Sequence, residues 1–220
     1  MRLLMLNGNT NAAMTDAMAA RARAFLGEAV EVEAETAERG VAYIGSRRDC
    51  ALAGAAVVAS LEAHGGRDHA AVLLACFGEP GLAAAREISP VPVTGLLEAS
   101  VLSALQLGAR FSIVTPGRRW PRMIEDVLHD LGAARHCLEI TPVEVGDLAL
   151  PAEHEAARAR VQVAVDRQAR RSPDAIIVGG AAFAGLAAAL EAPSGTRLID
   201  SLDAGLAQSL ALMRLTADRG

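Results

Sequence analysis

The stretch AAVLLACFGEPGL, residues 70–82, decides how the rest of the chain is read. Ala70 to Ala75 is a short, wholly apolar run, bounded in the way a buried parallel strand is bounded. Cys76 stands where that strand ends. Gly78, Pro80 and Gly81 then turn the chain, and AAAREI starts a helical pattern. In open α/β sheets ligands bind beyond the carboxyl ends of the strands. A thiol at that point, followed by a glycine that lets the backbone approach a ligand, is well placed for chemistry. A free cysteine is also an ordinary small buried hydrophobe, and position alone leaves both readings open.

Upstream, RLLML (2–6) reads as a first strand, and NGNTNAAM follows at once. Asn7 and Gly8 suit a turn, and Thr10 or Asn11 can cap a helix running to about Leu26. Free N–H groups at such a helix start attract an anion, although plain capping explains the same residues. VEVEAET (30–36) alternates apolar and acidic residues, as an exposed or edge strand does. A loop follows over 37–49, with the chain's only tyrosine, Tyr43, and then a helix from about Cys50 to Ala63. HGGRDH (64–69) reads as a turn whose two histidines, His64 and His69, sit at the surface.

Downstream of the cysteine, a helix is expected over 82–88 and a strand ending near Thr94 and Gly95. The second half repeats the design. Strands are expected over ARFSIVTPG, 138–145, DAIIVGG and TRLID, with helices at 119–131, over HEAARARVQVAVDRQARR, after the Gly179–Gly180 turn, and at the C-terminus. This amounts to four strand–helix units in each half, and alternating strands and helices imply parallel sheets. AVLLACFGEPGL and AIIVGGAAFAGL have the same shape.

The 220 residues allow one large domain or two small ones. Hydrophobic residues make up 52% but aromatics only 3%, so alanine, leucine and valine must fill the core by close helix packing. All basic residues are arginine. A net charge of -5 without a basic run argues against a nucleic-acid partner. LLML is too short for a secretory h-region, and no apolar run reaches membrane-spanning length. Cys50, Cys76 and Cys137 are odd in number and widely spaced, which supports neither a disulfide framework nor a zinc site. A cytoplasmic protein with reduced thiols is the expectation.

Taken together, NGNT (7–10), RGVAYI (39–44), ACFGEPGL (75–82), VPVTGLLEA (91–99), FSIVT (111–115), IIVGG (176–180) and LIDSL (198–202) resemble the aspartate/glutamate racemase superfamily, and most closely its hydantoin racemase branch. The family more often has proline where this chain has Gly8. The resemblance implies two pseudo-symmetric α/β lobes, each a short parallel sheet flanked by helices, with an active-site cleft between them. It implies residues 1–97 plus 201–220 in one lobe and 98–200 in the other. It also implies a cofactor-independent racemase without metal, acting on a small molecule with a carbonyl or carboxylate beside the reacting carbon. In this family one thiolate removes the proton and an opposite thiol supplies one. Cys76 falls on the first cysteine, and Gly180 takes the place of the second.

The resemblance makes Cys76 the acid/base group. Backbone N–H groups of Phe77, Gly78, Gly180 and Ala181 are candidates to hold a substrate oxygen. Asn9, Thr10, Tyr43 and Thr115 are candidate substrate contacts. Glu98 and Asp49 are candidate pKa tuners or plain helix-start carboxylates, and Asp200 is a candidate turn residue. Cys50 and Cys137 read as structural, and His136 has no assigned role. A homo-oligomer is expected. The alternatives are a one-thiol decarboxylase or lyase on the same scaffold, as in the related arylmalonate decarboxylases, or a non-catalytic small-molecule binding or accessory protein.

Overall fold

The computed structural model describes residues 1–64, 68–146 and 151–217. The His64 side chain and much of the 64–69 turn lie outside them. Short apolar runs separated by glycine and proline give eight strands, and the amphipathic stretches between them give seven α-helices among the described residues. The first half runs β1 (Arg2–Asn7), α1 (Ala12–Leu26), β2 (Glu31–Thr36), α2 (Arg47–His64), β3 (Ala71–Leu74), α3 (Leu82–Ile88), β4 (Val93–Gly95) and α4 (Leu96–Leu107). The second runs β5 (Phe111–Pro116), α5 (Trp120–Asp130), β6 (Cys137–Val143), α6 (Pro151–Ala169), β7 (Ala175–Val178), β8 (Arg197–Asp200) and α7 (Ser201–Thr216).

Two four-stranded sheets result, ordered β2-β1-β3-β4 and β6-β5-β7-β8. The pairings within them are parallel. The same topology therefore occurs twice, and the expected two-lobed α/β architecture is borne out. Every residue of β3 and β7 is buried, as an inner strand covered on both faces requires. The alternating β2 lies at a sheet edge, as its pattern implies. Helices α4 and α7 cross over: α4 touches β7 and β8 of the second sheet, and α7 touches α1, β3 and β4 of the first.

Two expectations are corrected. No α-helix follows β7. Ala181–Phe183 and Leu186–Ala189 form two 3-10 turns instead. Gly180 and Gly185 take φ of 125° and 85°, which breaks the right-handed run twice within six residues. His69 is not a surface residue. It is 9% exposed, and its Nε2 lies 3.0 Å from Glu33 Oε2, because an edge-strand carboxylate is there to receive it.

Candidate active site

Residues that follow β1, β2, β3, β5 and β7 meet between the two sheets around a cavity of about 20 Å3. Asn9, Tyr43, Cys76, Phe77, Gly180 and Ala181 all line it, so distant segments converge as the strand-end rule requires. Thr10, Gly78 and Thr115 are not among its lining residues. That volume holds about one water. A larger depression, about 570 Å3, lies beside Met1, Arg2, Glu31 and His69. It sits at the amino ends of the strands, where α/β sheets do not place their ligands.

Cys76 is 6% exposed. Burial pushes its thiol up to about 12. The backbone N–H groups of Gly78 and Glu79 oppose that rise, while the nearby Cys50 and the Glu79 carboxylate add to it. The thiol form thus holds at neutral pH in the closed cavity. The cause is that the closed site withdraws the sulfur from water. Cys50 is half-buried and lies close to Gly78: a Cβ on that glycine would sit 3.3 Å from Cys50 Sγ.

Glu79 was not foreseen from sequence. It is 7% exposed and sits at φ 48°, a left-handed conformation uncommon for a non-glycine residue. Its Oε1 accepts the Glu98 N–H at 2.7 Å and so caps α4, whose own N-cap residue, Gly95, has no side chain to do so. A Cβ at Gly95 would lie 2.2 Å from that oxygen. Burial raises the Glu79 carboxyl to about 8, with the helix-start N–H groups opposing. Glu98, paired with Arg86 at 2.8 Å, acts on Glu79, and Asp49 acts on Cys50. The two carboxylates read as tuners therefore reach Cys76 only through these neighbours. Asp200 is the N-cap of α7, accepting the Leu202 N–H at 3.0 Å and the Gly185 N–H at 2.7 Å.

The opposite wall is built differently. A Cβ at Gly180 would fall 2.7 Å from Pro116 Cδ, so the proline ring fills the direction in which a side chain would project. The Gly180 N–H donates to Ser201 Oγ at 3.3 Å. Large rings lock the two walls together. The Phe77 ring lies against Gly179, where a Cβ would meet it at 2.2 Å, and the Trp120 ring lies against Gly78, where a Cβ would meet it at 2.7 Å. Both rings are buried, and each packs on a glycine of the other half.

Two polar groups complete the cavity. Asn7 Nδ2 donates to Asn9 Oδ1 at 3.0 Å and to Thr15 Oγ1 at 2.9 Å, and this fixes the Asn9 carboxamide. Asn9 Nδ2 meets Met14 Sδ at 3.7 Å, a weak contact that leaves donor capacity for a ligand. Tyr43 is 47% exposed, with its ring on the cavity. Burial of the ring raises its phenol. The Trp120 N–H favours the phenolate but falls short of hydrogen-bonding geometry, and the indole nitrogen is buried without a partner. Among the described residues no group of three or more His, Cys, Asp or Glu is placed to hold a metal ion, and no helix is long and apolar enough to cross a membrane.

The family model described as Asp/Glu/Hydantoin racemase matches residues 3–209. The chain belongs to that family. Among curated relatives, a hydantoin racemase from Pseudomonas sp. is 32% identical over 94% of this chain and 83% of its own. An allantoin racemase structure from Pseudomonas fluorescens superposes with a TM-score of 0.90 at 28% identity, covering 98% of this chain and 92% of that one. The allantoin racemase from Klebsiella pneumoniae gives 0.86 at 31%, covering 98% and 88%. The superfamily and branch read from the motifs are those of these relatives. In this chain the cavity is the place where the ends of β3 and β7 face one another.

Proposed function

We propose that the protein is a cofactor-independent racemase of a hydantoin-like or amino-acid-derived carbon acid, with Cys76 as an acid/base group. The observation that supports this best is the position of Cys76. It stands after an inner strand, in the cavity between the two sheets, where the backbone N–H groups of Gly78 and Glu79 favour its ionised form. The named relatives act on hydantoins and allantoin, and allantoin itself carries a hydantoin ring. Such a ring has an acidic carbon beside a carbonyl.

In this reading Cys76 loses its proton while the halves stand open to water, where burial no longer holds the thiol form, and the thiolate then removes the proton from that carbon. The electron pair moves onto the carbonyl oxygen, which Asn9 Nδ2 is placed to stabilise. A cavity sized for one water does not admit a ring, so the halves part before substrate enters and close again around it. The same reading takes residues 1–97 plus 201–220 and 98–200 as the two lobes, and expects a cytoplasmic homo-oligomer.

The test is incubation of enantiopure 5-substituted hydantoins with the protein in deuterium oxide, followed by NMR and polarimetry. Deuterium should enter at the ring carbon together with loss of optical rotation. A folded protein that exchanges no hydrogen at that carbon in any hydantoin offered would sink the reading.

A further inference from the structure

The racemase reading needs a proton for the face opposite Cys76, and Gly180 has no side chain to give one. Of the residues lining the cavity, only Cys76 and Tyr43 carry an ionisable hydrogen. The Tyr43 loop leaves the first sheet after β2, yet its hydroxyl reaches the second half. It lies 3.8 Å from the position a Gly117 Cβ would take, at the end of β5. The neighbouring Pro116 is the residue whose ring covers Gly180. The phenol therefore reaches the wall where the second thiol would stand.

We propose that Tyr43 is the second proton donor, working across the cavity from Cys76. This rests on the racemase reading. The Cys76 thiolate takes the proton from the ring carbon and becomes a thiol. The Tyr43 O–H bond then breaks toward the other face of that carbon and leaves a phenolate. The Trp120 N–H, buried and unpartnered, lies 3.9 Å from that same Gly117 Cβ position and is at hand to accept the new charge. The phenolate takes a proton from water and the thiol returns one, so no charge accumulates over a cycle. Tyr43 is 47% exposed as a residue, so its loop lies at the edge of the cavity beside solvent. Two further facts agree. Burial holds the phenol in its protonated form, as a donor requires, and the Cys76 charge adds to that effect, as expected of two groups sharing one cavity.

The chain has a single tyrosine, so the near-ultraviolet phenolate band reports Tyr43 alone. Cys76 carries its charge only toward about pH 12, so wild type and Cys76→Ser are titrated into that range, where the phenol should ionise at lower pH in the variant. Glu79 and Cys50, which face Cys76, and Asp49, which faces Cys50, are the same in both proteins. Identical titrations would overturn the inference whatever the substrate, since the two groups would then not share a cavity. With a hydantoin in deuterium oxide, Tyr43→Phe keeps the ring and loses only the hydroxyl. Inversion should fall about 10²–10⁴-fold, while deuterium exchange with retention continues at Cys76. Inversion by Tyr43→Phe at the wild-type rate would overturn it too. Coupled titration in a wild type inert toward hydantoins would support the paired arrangement and take down the hydantoin racemase reading.

Discussion

After β3 and after β7 the chain meets the same problem and solves it in two ways. Both strands are buried, both end at the cavity, and both are followed by glycine turns. After β3 the turn carries a thiol and a buried carboxyl, and then continues into α3. After β7 the turn carries Gly180 at φ 125°, a proline ring where a side chain would go, and no α-helix. The repeated topology thus brings two strand ends to one cavity, and the residues at each end decide what that end presents to it.

The largest effect expected concerns the thiol itself. Cys76→Ser should abolish hydrogen exchange at the ring carbon, since a serine hydroxyl gives up its proton far less readily than a thiol in the same place. Exchange surviving in Cys76→Ser would move the base away from the β3 end, to Tyr43, and undo the comparison. Next is the ring that joins the two ends. Phe77→Ala removes a fully buried ring packed on Gly179 and should cost about 3–5 kcal/mol in denaturant unfolding. The reciprocal change, Gly179→Ala, forces that ring aside and should cost about 1–3 kcal/mol. If it is silent, the halves are not locked by this contact.

A smaller effect tests whether a thiol can be restored to the second end. Gly180→Cys places an L side chain at φ 125° against Pro116, with a backbone cost of about 1–2 kcal/mol. Racemisation should not rise, and combining it with Pro116→Ala should recover part of the lost stability. A stable Gly180→Cys protein that racemises faster than wild type would show that the second end is merely unequipped and not closed. The smallest effect concerns Glu79→Gln. Alkylation of Cys76 by iodoacetamide should speed up as pH rises toward about 12, the thiolate range. In the variant this curve should move to lower pH, because a carboxylate that disfavours the neighbouring thiolate is gone. The separation should grow above about pH 8, where the Glu79 carboxyl ionises. Coincident curves would remove Glu79 from the electrostatics of the thiol.

Much of the fold was legible because strands such as AVLL and AIIV announce themselves as short apolar runs between glycines. The missing helix after β7 was not, since GGAAFAG and CFGEPG look alike until backbone angles are known. Cys76 was legible from its strand end. Glu79 was invisible in sequence because its meaning comes from the start of α4, about twenty residues on, and from a glycine that makes room for it. Tyr43 could be noticed as the sole tyrosine, but not its reach to β5. That reach depends on how the two sheets face each other, which no local pattern encodes. His69 was misread for the same reason, because its partner Glu33 lies in another strand.

The crossing of α4 and α7 has a mechanical meaning. Strand β4 ends at Gly95 and α4 begins at Leu96, while β8 ends at Asp200 and α7 begins at Ser201, with no linker residue at either junction. The halves are pinned at two points, like a door on two hinge pins. Such a body swings about the line through its pins and resists sliding or twisting apart. If the halves part to admit a substrate, as proposed, two junctions of this kind favour a rotation about the line through them, and opening then becomes a step of its own beside the chemistry.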